Sequence, residues 1–114
     1  MSTLFTRIID GEIPGHFVYR DEEIVAIRDI NPSAPVHVLV IPRKPIPSLM
    51  ELEEGDVELL GRMMLVLSRI ARDEGLHNGY RVVVNTGEDG AQTVPHLHIH
   101  LLGGRTFTEG EHGS

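Results

Sequence analysis

The order of apolar and polar positions predicts two helices of unequal length and several short strands. Apolar residues recur at helical spacing from Leu4 to Ile9, where Ser2 or Thr3 can cap the helix and Gly11 ends it. Strand-like runs bounded by turn residues follow at 16–20, 23–28 and 36–41, then at 80–85 and 94–102.

The long helix is predicted over residues 56–74, with Gly75 as its stop. Its apolar face covers roughly half of the circumference, which is wider than the ~100° that a simple surface helix needs. Either the helix packs on two layers of its own domain, or part of it packs on a second subunit. Strands and helices without strict alternation favour an α+β domain with a mostly antiparallel sheet.

Composition narrows the classes of function. The chain has 114 residues, a net charge of -7 with neutral histidines, and no cysteine. An acidic chain without a Lys/Arg cluster is a poor partner for nucleic acid, although small phosphorylated ligands remain compatible. The absence of cysteine excludes disulfides and thiolate catalysis. No apolar run reaches the ~20 residues that a membrane span needs, so we expect a cytoplasmic protein.

The chain reads as one domain over residues 1–105, followed by a polar, glycine-rich tail over 106–114 that we expect to be mobile. It contains no internal repeat and no linker that would divide it.

The chemistry-bearing motif is a row of histidines. His96, His98 and His100 alternate with apolar residues in the last predicted strand. Alternation places the three imidazoles on one face, with the intervening Leu97 and Ile99 on the other. Unpartnered buried imidazoles would cost several kcal/mol in total, so a purely structural role is disfavoured.

Two chemical roles compete for this row. In a zinc site, a pair such as His98 and His100 would bind the ion together with His37 or Asp29, since His96 and His100 lie ~13 Å apart at Cα on an extended strand. In nucleophilic catalysis at phosphorus, a neutral imidazole attacks and the labile phosphorus–nitrogen bond is then hydrolysed. The middle histidine, His98, has a partner on each side and is the natural nucleophile.

Other polar residues stand at strand ends. Asp29 can accept hydrogen bonds from both hydroxyls of a ribose, although capping a turn is the commoner role of such a residue. Asn85 is similarly ambiguous. The hydroxyl and amides of residues 92–94 can supply donors to phosphate oxygens.

The run His96-Leu97-His98-Ile99-His100-Leu101-Leu102 matches the histidine triad motif, His-x-His-x-His followed by two hydrophobic residues. The chain resembles the histidine triad (HIT) superfamily over about residues 4–105, and within it the Hint-type nucleotide-binding proteins, which are purine nucleoside phosphoramidases. The resemblance extends to the flanking segments 8–14, 29–30, 34–37, 39–44, 79–85 and 102–105.

The resemblance implies a HIT-like fold with a five-stranded sheet, one long and one short helix, and a homodimer whose sheet continues across both protomers. It implies that His98 becomes nucleotidylated and that His100 contacts phosphate oxygens. It also implies that His96 and His37 orient the central imidazole. The nucleotide-binding residues that it implies are Asp29 and Ile30 at the ribose, Asn85, Ala91, Gln92 and Thr93 at the phosphate and leaving group, and Tyr19 and Ile27 at the purine.

The chain departs from the Hint pattern at three places. Ala91 replaces a usual glycine, Thr93 replaces a usual serine, and the tail lacks a Trp-Pro-Pro ending that influences substrate choice in the family.

Taken as a whole, the resemblance predicts a hydrolase of purine nucleoside 5′-phosphoramidates with adenine as the expected base, an AMP-like ligand, and no cofactor or metal. A dinucleoside polyphosphate hydrolase, a regulatory nucleotide-binding protein with little turnover, and a metal-binding protein remain as alternatives.

Overall fold

The computed structural model describes residues 2–111, which form two α-helices and one five-stranded antiparallel sheet. The spatial order of the strands is β1-β2-β3-β5-β4. The predicted α+β class is therefore confirmed. The elements are α1 Leu4–Ile9, β1 Phe17–Arg20, β2 Ile24–Arg28, β3 Val36–Pro42, α2 Val57–Asp73, β4 Arg81–Val83 and β5 Ile99–Gly103, with 3-10 turns at Leu49–Glu51 and Glu54–Asp56 before α2.

Helix α1 forms because its first turn is capped and its apolar residues share one face. The Thr3 hydroxyl accepts from the Thr6 backbone N–H, and Thr6 bonds back to the Thr3 N–H in a capping box. Phe5 and Ile8, three residues apart, are buried on the sheet. Gly11 adopts a positive φ of 81° just beyond the helix, a conformation that glycine enters without steric cost. The short helix is thus fixed against one face of the sheet.

Helix α2 packs on the opposite face of the sheet. Its buried residues recur at spacings of three and four and join the strands in the main core. Val57, Met64 and Leu65 are instead 67%, 47% and 51% exposed. Within residues 2–111 the helix therefore packs on one layer, and the remainder of its wide apolar face is open.

Strand register places two predicted site residues on one face. His100 pairs with Leu39, and His37 pairs with Leu102, so His37 and His100 are diagonal neighbours on the α1 side. Leu97, Ile99 and Leu101 lie in the core beneath α2, which confirms that they face away from the histidines.

Two predicted strands are shorter than expected. The strand expected over 94–102 begins only at Ile99, so His96 and His98 precede it. The Leu97 N–H donates to the Ile46 carbonyl (2.7 Å) rather than to β3, whose last residue, Pro42, has no N–H to pair. The strand expected over 80–85 is limited to Arg81–Val83, whose residues pair with Leu102, Leu101 and His100 of β5.

The beginning of the predicted tail contacts the sheet edge. Arg81 of β4 donates to the carbonyl oxygens of Thr108 (2.7 Å) and Glu111. The mobility expected for residues 106–114 stays a prediction, and residues 112–114 lie outside the described part of the chain. Among residues 2–111, no helix has the length and apolarity needed to cross a membrane.

Candidate active site

A cavity of about 940 Å³ opens beside the histidines, between strand β4 and the loop that follows it. It brings together residues that are far apart in the chain. Six predicted site residues line it, namely Asn85, Ala91, Gln92, Thr93, His98 and His100. His96, His37 and Asp29 support the cavity from behind through the contacts described below.

The tautomer of His98 is fixed by a backbone carbonyl. Its Nδ1 lies 2.7 Å from the carbonyl oxygen of His96, and a carbonyl only accepts, so Nδ1 carries the proton. The Nε2 atom of neutral His98 then holds an unshared lone pair and has no hydrogen-bond partner within residues 2–111. The Phe5 ring and the imidazole pack edge-to-face with the ring centroids 4.8 Å apart. His98 is thus an oriented imidazole with a free nucleophilic nitrogen.

A chain of hydrogen bonds fixes His37 and His100 in the same way. The Ser33 backbone N–H donates to His37 Nδ1 (3.0 Å), so neutral His37 carries its proton on Nε2. That Nε2–H donates to His100 Nδ1, 2.9 Å away. His100 must therefore carry its own proton on Nε2. The backbone N–H of Ser33, at the other end of this series of hydrogen bonds, therefore makes His100 Nε2–H a donor at the cavity.

His96 is fully buried and does not line the cavity. Its Nε2–H donates to the Pro42 carbonyl oxygen (2.7 Å), and its Nδ1 lone pair has no partner within the described residues. The imidazole therefore anchors its segment to the end of β3, while its own carbonyl orients His98.

Burial keeps these imidazoles neutral. It lowers the pKa of His37, His96 and His98 below the usual 6.5, because the charged form loses its hydration. Burial, with repulsion from the neighbouring imidazoles of His98 and His37, lowers the pKa of His100 to about 4. At neutral pH the cluster is uncharged, as a histidine nucleophile requires.

Asn85 and Gln92 shape the loop after β4. The Asn85 side-chain amide donates to the Gly90 carbonyl (2.9 Å). The Gln92 amide accepts from the Gly87 N–H and donates to the Pro47 and Val94 carbonyls. Both side chains thus stabilise the loop, and Gln92 also ties it to the segment that follows β3. The backbone N–H groups of Thr93 and Val94 donate to no acceptor within residues 2–111, which leaves them available to a ligand.

The departure at Ala91 coincides with a strained backbone. Ala91 has a φ of 60°, in the left-handed region that favours glycine. Its N–H donates to the Glu88 carbonyl (3.0 Å), so the turn is closed in spite of the extra methyl group.

Asp29 takes the turn-capping role and also lies beside the histidines, while its role at a ribose stays a prediction. Its Oδ1 accepts from the Asn31 N–H (2.8 Å), which caps the turn after β2. Its Oδ2 lies 3.4 Å from His37 Nε2, beside the histidine chain. The neighbouring Ile30 is 89% exposed.

Of the two residues expected at a purine, the structure brings only Ile27 near the histidines. Ile27 is buried on the α1 face together with Phe5. Tyr19 packs on the α2 side, beyond a β-bulge in β1, and its hydroxyl donates to Asp21 (2.6 Å). This placement gives no support to the prediction for Tyr19.

Sequence reasoning missed several contributors to the site. Phe5 belongs to the apolar pattern of α1 and gives no chemical signal in the sequence, yet its ring packs against those of His96 and His98. The Ser33 N–H and the Pro42 carbonyl act through backbone atoms, which no residue type reveals. Glu109 also lines the cavity, from a tail expected to be mobile.

One group of side chains has the composition of a metal site. The carboxylate of Asp29 and one ring nitrogen each of His37 and His100 lie within 4.8 Å of one another. A metal-bound histidine offers one lone pair to the ion and donates its other N–H. His37 cannot do so here, because its Nδ1 lone pair is taken by the Ser33 N–H and its Nε2 carries the proton. The cluster fits a hydrogen-bond chain and does not fit zinc.

Comparisons with known proteins agree with the motif. The HIT domain model matches residues 10–107. The "14 kDa zinc-binding protein" of Zea mays is 50% identical over 105 residues, covering 90% of this chain and 82% of that protein.

Solved structures share the whole fold. The HIT family hydrolase from Legionella pneumophila Philadelphia 1 aligns with a TM-score of 0.93 and 44% identity, over 96% of this chain and 98% of that one. The histidine triad nucleotide-binding protein from Candida albicans aligns with a TM-score of 0.80 and 27% identity, over 99% and 87%. On the family model and these similarities, this chain belongs to the HIT domain family.

Proposed function

We propose that the protein hydrolyses purine nucleoside 5′-phosphoramidates, with adenine as the base, through a nucleotide bound covalently to His98. The observation that carries this proposal is the 2.7 Å bond from His98 Nδ1–H to the His96 carbonyl, which leaves Nε2 free to attack. The hydrolase and nucleotide-binding names of the two solved relatives support the same reading.

The reaction takes two displacements at one phosphorus. The Nε2 lone pair of His98 attacks the α-phosphorus, the bond from phosphorus to the amine nitrogen breaks, and that nitrogen takes up a proton from solvent, so that a neutral amine leaves. Water then attacks the same phosphorus and loses a proton to solvent, the bond to His98 Nε2 breaks, and the nucleoside monophosphate is released. No cofactor or metal takes part in either step.

The hydrogen-bond chain supplies a donor where negative charge develops. His100 Nε2–H, fixed through His37 and the Ser33 amide, is assigned to a phosphate oxygen. The N–H groups of Thr93 and Val94 are assigned to the same phosphate. Asp29 and Ile30 are assigned to the ribose. Ile27, together with Phe5, is assigned to the purine.

The test is a search for the covalent adduct during turnover. Wild type, His98→Ala and the exposed control His77→Ala are mixed with adenosine 5′-phosphoramidate, quenched early in alkaline denaturant, and mapped by mass spectrometry. We expect an AMP adduct on His98 in wild type and in the control, and neither adduct nor hydrolysis in His98→Ala. Hydrolysis by His98→Ala at the wild-type rate would overturn the proposal.

The same panel separates the alternatives. Diadenosine triphosphate turned over faster than the phosphoramidate would favour a dinucleoside polyphosphate hydrolase. Micromolar AMP binding without adduct or turnover would favour a regulatory binding protein. Activity lost on chelation and restored by Zn²⁺ would favour the metal-dependent class and contradict the metal-free reaction.

We also propose that the protein is a homodimer whose sheet continues through β4. Strand β4 is an edge strand, and unpaired strand edges readily pair with another chain. Val82 on β4 and Leu65 on α2 are exposed apolar residues, 37% and 51% accessible.

The test of the dimer is sedimentation in the ultracentrifuge. We expect sedimentation at twice the chain mass for wild type and the control Met50→Lys, and monomers for Leu65→Lys. A monomeric wild type at micromolar concentration would contradict the dimer. The cytoplasmic location stays a prediction.

A further inference from the structure

The chain contains a single glutamine, Gln92, and every polar atom of its side chain is hydrogen-bonded within the protein. Its Oε1 accepts from the Gly87 N–H (2.9 Å), and its amide nitrogen donates to the carbonyl oxygens of Pro47 (2.7 Å) and Val94 (2.9 Å). An amide nitrogen carries only two hydrogens, so none is left for a ligand. The contact between Gln92 and a phosphate that the resemblance implies is therefore not available in this conformation.

Asn85 carries the other side-chain amide of the cavity lining and differs in this respect. Its Nδ2 donates to one acceptor, the Gly90 carbonyl oxygen (2.9 Å), which leaves a second amide hydrogen without a partner among residues 2–111. The two amides therefore differ in what they offer to a ligand. Asn85 can donate one hydrogen bond, and Gln92 can donate none.

The three partners of Gln92 lie in three separate segments. Gly87 belongs to the loop after β4, Pro47 follows β3, and Val94 precedes the histidines. The backbone N–H of Gln92 also donates to the Gly87 carbonyl oxygen (3.0 Å), so these two residues are joined by two hydrogen bonds in opposite directions. Gln92 thus closes the loop and also fixes it to the segment that follows β3.

The bond from Gln92 to Val94 acts directly on the cavity. It joins the side-chain amide to the carbonyl two residues further on and so closes a short ring across Thr93. The backbone N–H groups of Thr93 and Val94 belong to this ring and donate to no acceptor within residues 2–111. The ring restricts the φ and ψ angles that set the directions of both groups. Donors fixed before the substrate binds stabilise developing charge without reorganisation.

We infer that Gln92 is a positioning residue, which does not touch the substrate and holds the N–H groups of Thr93 and Val94 in place for the phosphate. This inference rests on the proposed function, because the phosphate is that of the proposed substrate. It departs from the contact expected from the resemblance and assigns the ligand-facing side-chain amide to Asn85 alone.

The direct test is NMR of the side-chain amides of the full-length protein during titration with AMP. The chain has four such groups, those of Asn31, Asn78, Asn85 and Gln92. We expect the Asn85 amide to shift with AMP and the Gln92 amide, which is identified by its loss in Gln92→Met, to shift by less than half as much. Asn78, exposed and outside the cavity lining, is the reference that stays in place. A Gln92 amide that shifts as far as that of Asn85 would overturn the inference.

A second test needs no ligand, because a positioning residue acts before the substrate binds. Gln92→Met keeps the length of the side chain and removes its hydrogen bonds. We expect this variant to speed hydrogen exchange of the backbone N–H groups of residues 87 and 92 by about 10-fold, while the core strand β2 exchanges as in wild type. Unchanged exchange at residues 87 and 92 would overturn the positioning role.

Kinetics show whether this positioning matters for the reaction. In Gln92→Glu a protonated carboxyl still donates one hydrogen bond, whereas the ionised form has no donor and faces the carbonyl oxygens of Pro47 and Val94. We expect kcat for adenosine 5′-phosphoramidate to fall by about 10-fold or more in Gln92→Met at every pH, relative to wild type at the same pH. In Gln92→Glu the loss should be smaller at pH 6 than at pH 8. Wild-type kcat in Gln92→Met, or an equal loss in Gln92→Glu at both pH values, would contradict the inference.

The outcomes separate this inference from the proposed function. If AMP shifts the Asn85 amide and leaves that of Gln92 in place, but no adduct forms on His98, the proposed function fails and the positioning role stands. If the adduct forms on His98 and the Gln92 amide shifts as far as that of Asn85, only the inference fails. No response of any cavity residue to AMP, together with absence of hydrolysis, would refute both.

Discussion

Mild acid should unfold this protein through its buried histidines. His37, His96, His98 and His100 are neutral in the fold, and burial lowers the pKa of each below 6.5. Once unfolded, each side chain binds a proton near pH 6.5. The unfolded state therefore holds more protons than the folded state below that pH, and the free energy of unfolding falls as the pH falls.

The magnitude follows from His100, whose pKa falls from 6.5 in the unfolded chain to about 4 in the fold. The stability that depends on its neutral form is present above pH 6.5 and is lost as the pH falls towards 4. Between pH 7 and pH 5 this single group should remove about 2 kcal/mol, a large part of the 5–15 kcal/mol typical of a domain. The other three histidines act in the same direction.

The assay is urea unfolding followed by circular dichroism at several pH values from 7 to 5, at constant ionic strength. We expect His100→Gln to lower the slope of unfolding free energy against pH by about 1 kcal/mol per unit on average over this range, where one whole proton would correspond to about 1.4 kcal/mol per unit. His77→Gln removes an exposed imidazole and should keep the wild-type slope. The slope, and not the absolute stability, is compared, because any substitution in the cluster also alters packing.

A flat profile in wild type from pH 7 to pH 5 would refute this reasoning. It would mean that the buried imidazoles take up protons in the folded state as readily as in the unfolded state. An unchanged slope in His100→Gln would remove His100 from the explanation even if wild type responds to acid.

Three further predictions follow from single positions. Ala91→Gly should raise the unfolding free energy by about 0.5–1 kcal/mol, because the strain that a positive φ imposes on alanine exceeds the extra entropic cost of ordering glycine. A lower unfolding free energy in urea titration would contradict this. Gly90→Ala should lower it by about 2 kcal/mol or more, since a Cβ would lie 2.3 Å from the Thr86 carbonyl oxygen, whereas Gly61→Ala meets nothing within 4 Å and should stabilise α2. The rate of adduct formation on His98 should stay constant from pH 8 to 6.5 and fall only below 6.5, because burial lowers the pKa of its imidazole; quench-flow showing a decline between pH 7.5 and 6.5 would contradict this.

The fold was accessible from the sequence because its signals are local. Helical spacing and a glycine stop located α2 to within a residue at each end, and Thr3 capped α1 as expected. Strand ends were less predictable, because they depend on what the neighbouring strand offers. The apolar alternation begins at Val94, yet β5 begins only at Ile99, because the Leu97 N–H donates to the Ile46 carbonyl rather than to β3.

The site could be predicted by residue type but not by geometry. The alternating histidines directed attention to three side chains, and two of them, His98 and His100, line the cavity. Their tautomers depend on Ser33, His96 and Pro42, which contribute backbone atoms that pattern reasoning does not register. The direction of Tyr19 was unpredictable for a related reason, because a bulge in β1 turns it to the other face.

The hydrogen bond between His98 and the His96 carbonyl joins residues only two positions apart in the sequence, and this has an evolutionary consequence. Donor and acceptor sit in one three-residue stretch, so the choice of the attacking nitrogen is inherited with that stretch alone. Residues 107–111, more than ten positions beyond His96, can diverge without disturbing that choice. Related proteins can therefore change the group that they cleave from the nucleotide while the same nitrogen of the same histidine reacts.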